Sequence, residues 1–552
     1  MTRPHFSRFL VSLMVKRMSR FGADQGGSIV VFALCLFMVM CMMGGLAVDL
    51  MRHENARTEL QNTLDRCVLM AASMHQALDA EPVMRDCVAK AGLTSSIATS
   101  GALAIEQTVN SREVAATGVV DTHPFFMHLM GIDKLDALAH AAAEQKITNV
   151  EIVLVLDVSG SMSGAKLAGL KVAANEFVAS MRANDPDNRV SISIVPYNAQ
   201  VNLGATLRAK YNAQNLHGVT DVNCLEVPPS AYSSAAMPRT LAIPMMAYAD
   251  YAYGTNKTNG PVSPTDASYA LPRFDRVFCK PTTVNTVRLP QQNVASLQSQ
   301  INGLEAGGNT SIMLGMKWGL TLLDPSARPM FSELIADGKM PANLEGRPYA
   351  YDDLEASKVI VLMTDGEHVS HDRINDAYKT GASGIYLSAG DGNYSVYQAS
   401  HAGSAKFYVP HLDTWQNTSW TNNGTAAVEQ DWAQVWSKLK LSYVAWQFYG
   451  RPLGGADASA RNTAYNNAFS AIRSTFASVS TMDSQLQQSC DLAKSNKVTV
   501  YGIAFEAPAN GQAQISQCST SNYHYFNAAD PAGIRTAFRT IASNLTQLKL
   551  TQ

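Results

Sequence analysis

Residues 151–161 read EIVLVLDVSGS, and the fold turns on how this stretch is read. The first part, Glu151–Leu156, is an apolar run with no polar alternation. A run of that kind and length is expected for a strand covered on both faces inside a parallel sheet. The second part turns polar at once. Asp157, Ser159 and Ser161 put one carboxylate and two hydroxyls on a single tight turn, and Gly160 lets the backbone close there. Ligands of open α/β sheets sit beyond the carboxyl ends of the strands, so this turn is where a site belongs.

Downstream the same alternation continues. A helix is predicted over Lys166–Met181, with Leu167, Leu170, Val172, Ala174, Phe177 and Val178 at its apolar positions. Val190–Val195 (VSISIV) alternates, which suits a strand nearer the sheet edge, and Lys358–Met363 (KVIVLM) is a second fully apolar strand. Helices are predicted over Gln292–Leu304, Ile312–Leu323, Asp483–Ser495 and Ala532–Leu548, and further strands over Val498–Phe505 and Tyr523–Asn527. Strands alternating with helices imply an α/β fold with a doubly wound, mostly parallel sheet, here over residues 147–552. Three insertions interrupt it, at about 198–285, 324–355 and 368–480. Structureless loops of that length are uncommon in compact domains, so they are read as folded surface excursions that hold partner specificity.

Upstream, residues 28–48 (SIVVFALCLFMVMCMMGGLAV) carry no charge. A helix of that length crosses a hydrocarbon core of about 30 Å. Arg3, Arg8, Lys16, Arg17 and Arg20 precede it and Asp49 follows, so the positive-inside rule places 1–27 in the cytoplasm and the bulk outside. Residues 49–76 lack Gly and Pro and continue as an amphipathic helix, which suits either a pilin-like N-terminal helix or a plain juxtamembrane stalk. With β-like runs at 102–109 and 113–120 and an alanine-rich stretch at 135–143, residues 49–146 read as that helix plus a small α/β linker module.

Composition narrows the function classes. The 552 residues carry a net charge of −2 and only 16% charged side chains, which argues against a nucleic-acid binder. Cys35 and Cys41 lie in the span, while Cys67, Cys87, Cys224, Cys279, Cys490 and Cys518 fall on the outer side. An even set in an oxidising compartment points to disulfides. Nearest-neighbour pairing gives 67–87, 224–279 and 490–518, one of 15 connectivities open to six cysteines.

Two distant segments complete the polar turn. Gly307-Gly308-Asn309-Thr310-Ser311 opens a helix and offers the Thr310 hydroxyl, and the second buried strand ends in Thr364-Asp365-Gly366. Carboxylate and hydroxyl oxygens suit Mg²⁺ foremost, or Mn²⁺ or Ca²⁺, rather than a thiophilic metal. This D-x-S-x-S, distal Thr and T-D-G combination resembles the metal-ion-dependent adhesion site of von Willebrand factor A (VWFA) domains. The resemblance implies that Ser159 and Ser161 bind the cation directly, and Asp157, Thr310 and Asp365 directly or through water. It leaves one coordination position for an acidic group of a protein partner.

A broader resemblance runs from the anchor to the tail. The D-x-G-G-S-I-V-V-F-A-L anchor, the A-V-D-L that follows, Leu64-Asp65, Leu314-Gly315-Met316-Lys317-Trp318-Gly319, Leu322-Leu323-Asp324-Pro325 and the Cys490 and Cys518 tail are similar to the TadG-like proteins of Flp (tight-adherence) pilus systems. That likeness implies a single-pass protein of the bacterial inner membrane, not an enzyme, that binds pilus or envelope components. A metal-dependent surface adhesin is the rival reading and a metal-dependent hydrolase a distant third, since no base or nucleophile accompanies the motif. Prepilins of such systems are cut after a Gly with Glu at the fifth position beyond; after Gly27 that position holds Phe32.

Other chemistry is weak. The chain has no H-E-x-x-H, no P-loop lysine motif and no G-x-S-x-G. His368, His371 and Asp372 are read as exposed loop residues rather than a second metal site, and Asp352-Asp353 as a solvated turn. The Trp and Tyr residues between Trp415 and Trp446 are read as packing the third insertion rather than as a glycan patch.

Overall fold

One helix, α1 (Ser28–Ala72), takes in both the uncharged run and the amphipathic stretch behind it. By length and composition it is able to cross a membrane. The computed structural model describes residues 28–73, 78–98, 101–107, 111–146, 149–183, 185, 188–250, 257–273 and 276–546. The basic segment 1–27 with Gly27, residues 74–76 of the expected helix, residues 108–109 of the first β-like run and the tail beyond 546 lie outside the described residues. The chain divides into two units, one up to Gln145 and one from Lys146 onward.

In the first unit, Leu60, Leu64, Val68 and Ala71 of α1 are buried against α2 (Ala80–Lys90) and a three-stranded sheet in the order β1 (Leu103–Gln107), β2 (Ser111–Thr122), β3 (Leu135–Lys146). The alanine-rich stretch is the strand β3. Its burial alternates, with Ala137, Ala139 and Ala141 covered and Leu138 exposed, which is the two-residue period of a strand. The sheet lies close on the helix at β2, where a Cβ on Gly118 would stand 3.2 Å from Leu60 Cδ1. Cys67 and Cys87 form a disulfide that ties α1 to α2.

The second unit is built on a six-stranded sheet. Its strands are β4 (Asn149–Asp157), β5 (Val190–Tyr197), β6 (Arg288–Gln291), β7 (Ala356–Thr364), β8 (Thr499–Phe505) and β9 (Tyr525–Ala528), in the spatial order β9-β8-β7-β4-β5-β6. All neighbours are parallel except β5 and β6. The alternating strand β5 lies one place in from the edge, as its pattern suggests.

The run of residues 152–156 explains why β4 is central. Ile152, Leu154 and Leu156 face one core with α3 (Ala165–Ala183), α4 (Val294–Asn302) and α7 (Pro531–Thr546). Val153 and Val155 face the other with α5 (Ile312–Leu323) and α6 (Val479–Ser495). Every residue of α5 is buried. It lies flush on the sheet because Gly315 and Gly319 present no side chain there: a Cβ on Gly315 would come within 2.5 Å of the Tyr197 ring, and one on Gly319 within 2.6 Å of Val155. Lys317 on the same helix is fully buried and donates to the carbonyls of Ser234, Ala235 and Ala236 at 2.6–3.2 Å.

The insertions are folded, and the first and third pack together. Val222, Met246 and Phe278 of the first share a core with Ile385, Trp436 and Phe448 of the third. A contact set between segments so far apart in the chain leaves no local period to read. The third insertion carries a five-stranded sheet and closes at its base, where His371–Ile374 pairs antiparallel with Arg473–Ala477. Trp432, Trp436 and Trp446 are buried in the shared core. The disulfides Cys224–Cys279 and Cys490–Cys518 complete the nearest-neighbour set.

Candidate functional site

Adjacent parallel strands bring the two carboxylates together. Leu156 of β4 stands opposite Met363 of β7, so Asp157 and Thr364 are the next pair, and the Thr364 hydroxyl donates to Asp157 Oδ2 at 2.7 Å. Beyond Asp157 the chain doubles back and the Ser159 N–H donates to Asp157 Oδ1 at 2.8 Å. Two backbone bonds join this turn to the 307–311 segment: Gly160 N–H to Gly308 O and Gly307 N–H to Val158 O, both 2.9 Å. A Cβ on Gly160 would sit 3.3 Å from Gly308 O, which is the close approach its glycine serves.

The hydroxyls converge on the same point. Ser159 Oγ and Ser161 Oγ are 3.0 Å apart, and Ser161 Oγ donates to Asp365 Oδ1 at 2.7 Å. A Cβ on Gly366 would stand 3.4 Å from Thr310 Oγ1 and 3.9 Å from Ser161 Oγ, so both hydroxyls lie over that glycine. Asp157, Ser159, Ser161, Thr310 and Asp365 therefore share one cluster at the carboxyl end of the sheet. Asp157, Ser159, Thr310 and Asp365 are buried, while Ser161 is exposed and opens the cluster to solvent.

Burial, and then the neighbouring charge of Asp365, push the Asp157 carboxyl up from 3.8 to about 6, against the hydrogen bonds of Thr364 and Ser159. Lys166 Nζ donates to Asp365 Oδ2 at 2.9 Å and lies 3.6 Å from Glu506. Burial would lower its ammonium, but Asp365 and then Glu506 outweigh that and raise it. Two buried carboxylates, Asp157 and Asp365, thus lie close together, and the one ammonium on Asp365 is shared with a third carboxylate, Glu506.

That donor set fits a hard divalent cation: two carboxylates and three hydroxyls, with charge left over after Lys166 is counted. Among the described residues no group of three His, Cys, Asp or Glu is placed to hold a metal, so any such site here relies on hydroxyls.

The histidines after β7 are buried, not exposed: His368 is held between α5 and α6, and His371 packs against the far end of the third insertion. His368 Nδ1 lies 2.7 Å from Asp483 Oδ1, and its Nε2 accepts the Met313 N–H at 3.0 Å at the start of α5. His371 Nε2 is 2.8 Å from Gln200 Nε2, and Asp372 pairs with Arg473. These three side chains serve separate partners and do not converge.

Several neighbours of the cluster were not marked as site residues by sequence reasoning. Thr364 orients Asp157, and His368 holds the segment behind Thr310, where the Val369 N–H also donates to Thr310 O at 3.0 Å. Asn198 bonds Gly307 O through its side chain and accepts the Ser311 N–H on its carbonyl. Lys166 had a readable signal: a cation in the first turn of a helix opposes the helix dipole and so calls for a carboxylate partner.

A family model described as "Putative Flp pilus-assembly TadE/G-like" matches residues 27–74. No curated protein matches the chain. Among solved structures, the chain is similar to the pilus adhesin SpaC of Lactobacillus rhamnosus GG in its open conformation, at 12% identity and a TM-score of 0.28, over 81% of this chain and 33% of that one. It is similar to the vWF domain of the type V pili tip protein Mfa5 of Porphyromonas gingivalis, at 13% identity and a TM-score of 0.29, over 73% and 96%. It is also similar to the adhesive tip pilin GBS104 of Group B Streptococcus agalactiae, at 11% identity and a TM-score of 0.31, over 72% and 100%. The chain spans about a third of the length of the SpaC structure.

Proposed function

We propose that this chain is a membrane-anchored, extracytoplasmic and non-enzymatic component of a Flp/Tad-type pilus system. Its second unit is a von Willebrand factor A-like head that captures an acidic group of a pilus or envelope protein through a divalent cation. The observation that carries this reading is the convergence of Asp157, Ser159, Ser161, Thr310 and Asp365 from three distant segments onto one sheet end. The match at residues 27–74 supports the pilus setting.

Asp157, Ser159, Ser161, Thr310 and Asp365 would hold the cation, Mg²⁺ foremost. When bound, the cation would supply an electrophilic point that a carboxylate completes. The rest falls to the chain itself. Thr364 and the Ser159 N–H fix the Asp157 carboxylate, and His368 and Asn198 hold the backbone around Thr310. Exposed Ser161 marks the side from which a partner approaches.

The test is complementation of a deletion strain with wild type or Asp365→Ala. Wild type is expected to restore pili and to retain envelope partners in Mg²⁺ but not in EDTA. The variant is expected to be made at normal level and to do neither. Equal piliation and partner retention by both proteins, with and without EDTA, would overturn cation-mediated capture. Intact pili with lost surface attachment would move the function to a surface adhesin.

A further inference from the structure

Between β2 and β3 the chain runs through His123-Pro-Phe-Phe-Met-His-Leu-Met-Gly-Ile132, with a short 3₁₀ turn at Met127–Met130. This loop folds back along α1 rather than away from it. Phe126 packs on Gly45 so closely that a Cβ there would meet the ring at 2.2 Å. Between loop and helix lies a cavity of about 250 Å³ whose walls include Phe37, Cys41 and Leu46 on one side and Phe126, Leu129 and Met130 on the other. Phe125, Leu129 and Met130 are 68%, 78% and 61% exposed, and they continue the exposed apolar surface of the uncharged half of α1.

The loop's backbone is prepared for a place without water. Asp49 is buried, and its carboxylate accepts the N–H groups of Phe125, Phe126 and Met127 at 2.7–2.9 Å. The N–H groups of Leu129, Gly131 and Ile132 bond Phe126 O, His128 O and Met127 O within the loop. Non-helical backbone near hydrocarbon persists only when its polar groups are satisfied in this way. Polar and charged groups flank the apolar face as at a membrane surface: Arg52 lies 4.2 Å over the Phe125 ring, and His128 Nδ1 lies 2.6 Å from Asp133 Oδ1.

From these contacts we infer that residues 124–132 form a second membrane contact. The apolar side chains of the loop are seated among the acyl chains of the leaflet from which Asp49 emerges, alongside α1. The occupant of the exposed apolar face is lipid, because that face is continuous with the surface of the spanning helix. A helix and a docked loop together fix the rotation of α1 about its axis, which one helix alone leaves free. The inference rests on α1 spanning the membrane, and the experiment separates the two.

The full chain, with Cys35 and Cys41 changed to Ala, carries an environment-sensitive fluorophore on a cysteine at Leu129, Leu36 or Glu106. It is reconstituted in phosphatidylethanolamine–phosphatidylglycerol vesicles containing lipid with a nitroxide on its acyl chain. Quenching at 129 is expected to reach at least half that at 36, with 106 unquenched. Gly45→Leu, which displaces Phe126, is expected to lower quenching at 129 at least twofold while leaving 36 as it was. Quenching at 36 without quenching at 129 overturns the loop contact and leaves the span intact. Quenching at neither position overturns the span itself. Fluorophore self-quenching at 129 that grows with protein density, without lipid quenching, makes the surface a contact between copies and also overturns the proposal.

Discussion

Replacing Asp157 by Asn tests the candidate cation site through stability alone. Asp157 is fully buried beside Asp365, and its carboxyl is raised from 3.8 to about 6. For an acid raised in the folded state, the folded protein holds the proton more tightly than the unfolded chain. Stability is therefore lost as pH rises from 3.8 through 6 and stays lost above. At about 1.4 kcal/mol per pK, the charged form costs the cation-free protein about 3 kcal/mol at pH 7. Asn keeps the acceptor for Ser159 N–H, and the Thr364 hydroxyl can turn to Gly366 O, 3.5 Å away, and accept from the new amide. In EDTA the variant is expected to gain most of that 3 kcal/mol. For a unit of roughly 400 residues with an unfolding entropy near 2.1 cal/mol/K per residue, this is about 3–4 °C in Tm. Adding Mg²⁺ at about 100 times its Kd is expected to raise wild type by about 2.7 kcal/mol, or about 3 °C, and to leave the variant unmoved. Differential scanning calorimetry of the detergent-solubilised chain reads both increments. A variant that melts below wild type in EDTA, or that gains the same Mg²⁺ increment, would refute the reasoning.

Lys166→Met removes the ammonium from Asp365. Titration calorimetry is expected to show Mg²⁺ bound about tenfold tighter, by about 1.4 kcal/mol, and an unchanged or weaker affinity would mean that Lys166 does not oppose the cation. Gly315→Ala drives a methyl into the Tyr197 ring and Val155, and urea unfolding should report a loss of about 1–3 kcal/mol; a neutral result would mean that α5 can lift off the sheet. Burial lowers His371 from 6.5 to about 4, so the unfolded chain takes the proton first and stability falls as pH drops from 6.5 to 4, by about 3 kcal/mol. Between pH 7 and 4 the free-energy gap between wild type and His371→Leu should shrink by that amount, whereas a gap constant with pH would contradict the assignment.

The elements that carry the sheet could be read because their environment is written locally. An apolar run such as Glu151–Leu156 or Lys358–Met363 has no polar face to show water, so both sides must be covered, and the turn after it must lie at a strand's carboxyl end. The helix Ile312–Leu323 could be read to the residue, from apolar side chains at eight of its twelve positions. Lys317 within it could not, because its partners are three carbonyls of the first insertion. Nor could the burial of His368 and His371, which depends on Asp483, Gln200 and the packing at the far end of the third insertion.

By itself the sequence determined which residues are apolar, where the chain must turn, and which oxygens stand at the ends of strands. Those properties depend on neighbours a few residues away. Only the tertiary structure decided that Lys166 sits on Asp365, that the first and third insertions share one core, and that a phenylalanine-rich loop lies on Gly45 under the carboxylate of Asp49. Each of those contacts joins segments tens to hundreds of residues apart. The energy that selects them comes from burial and hydrogen bonding between surfaces that exist only after the chain has folded.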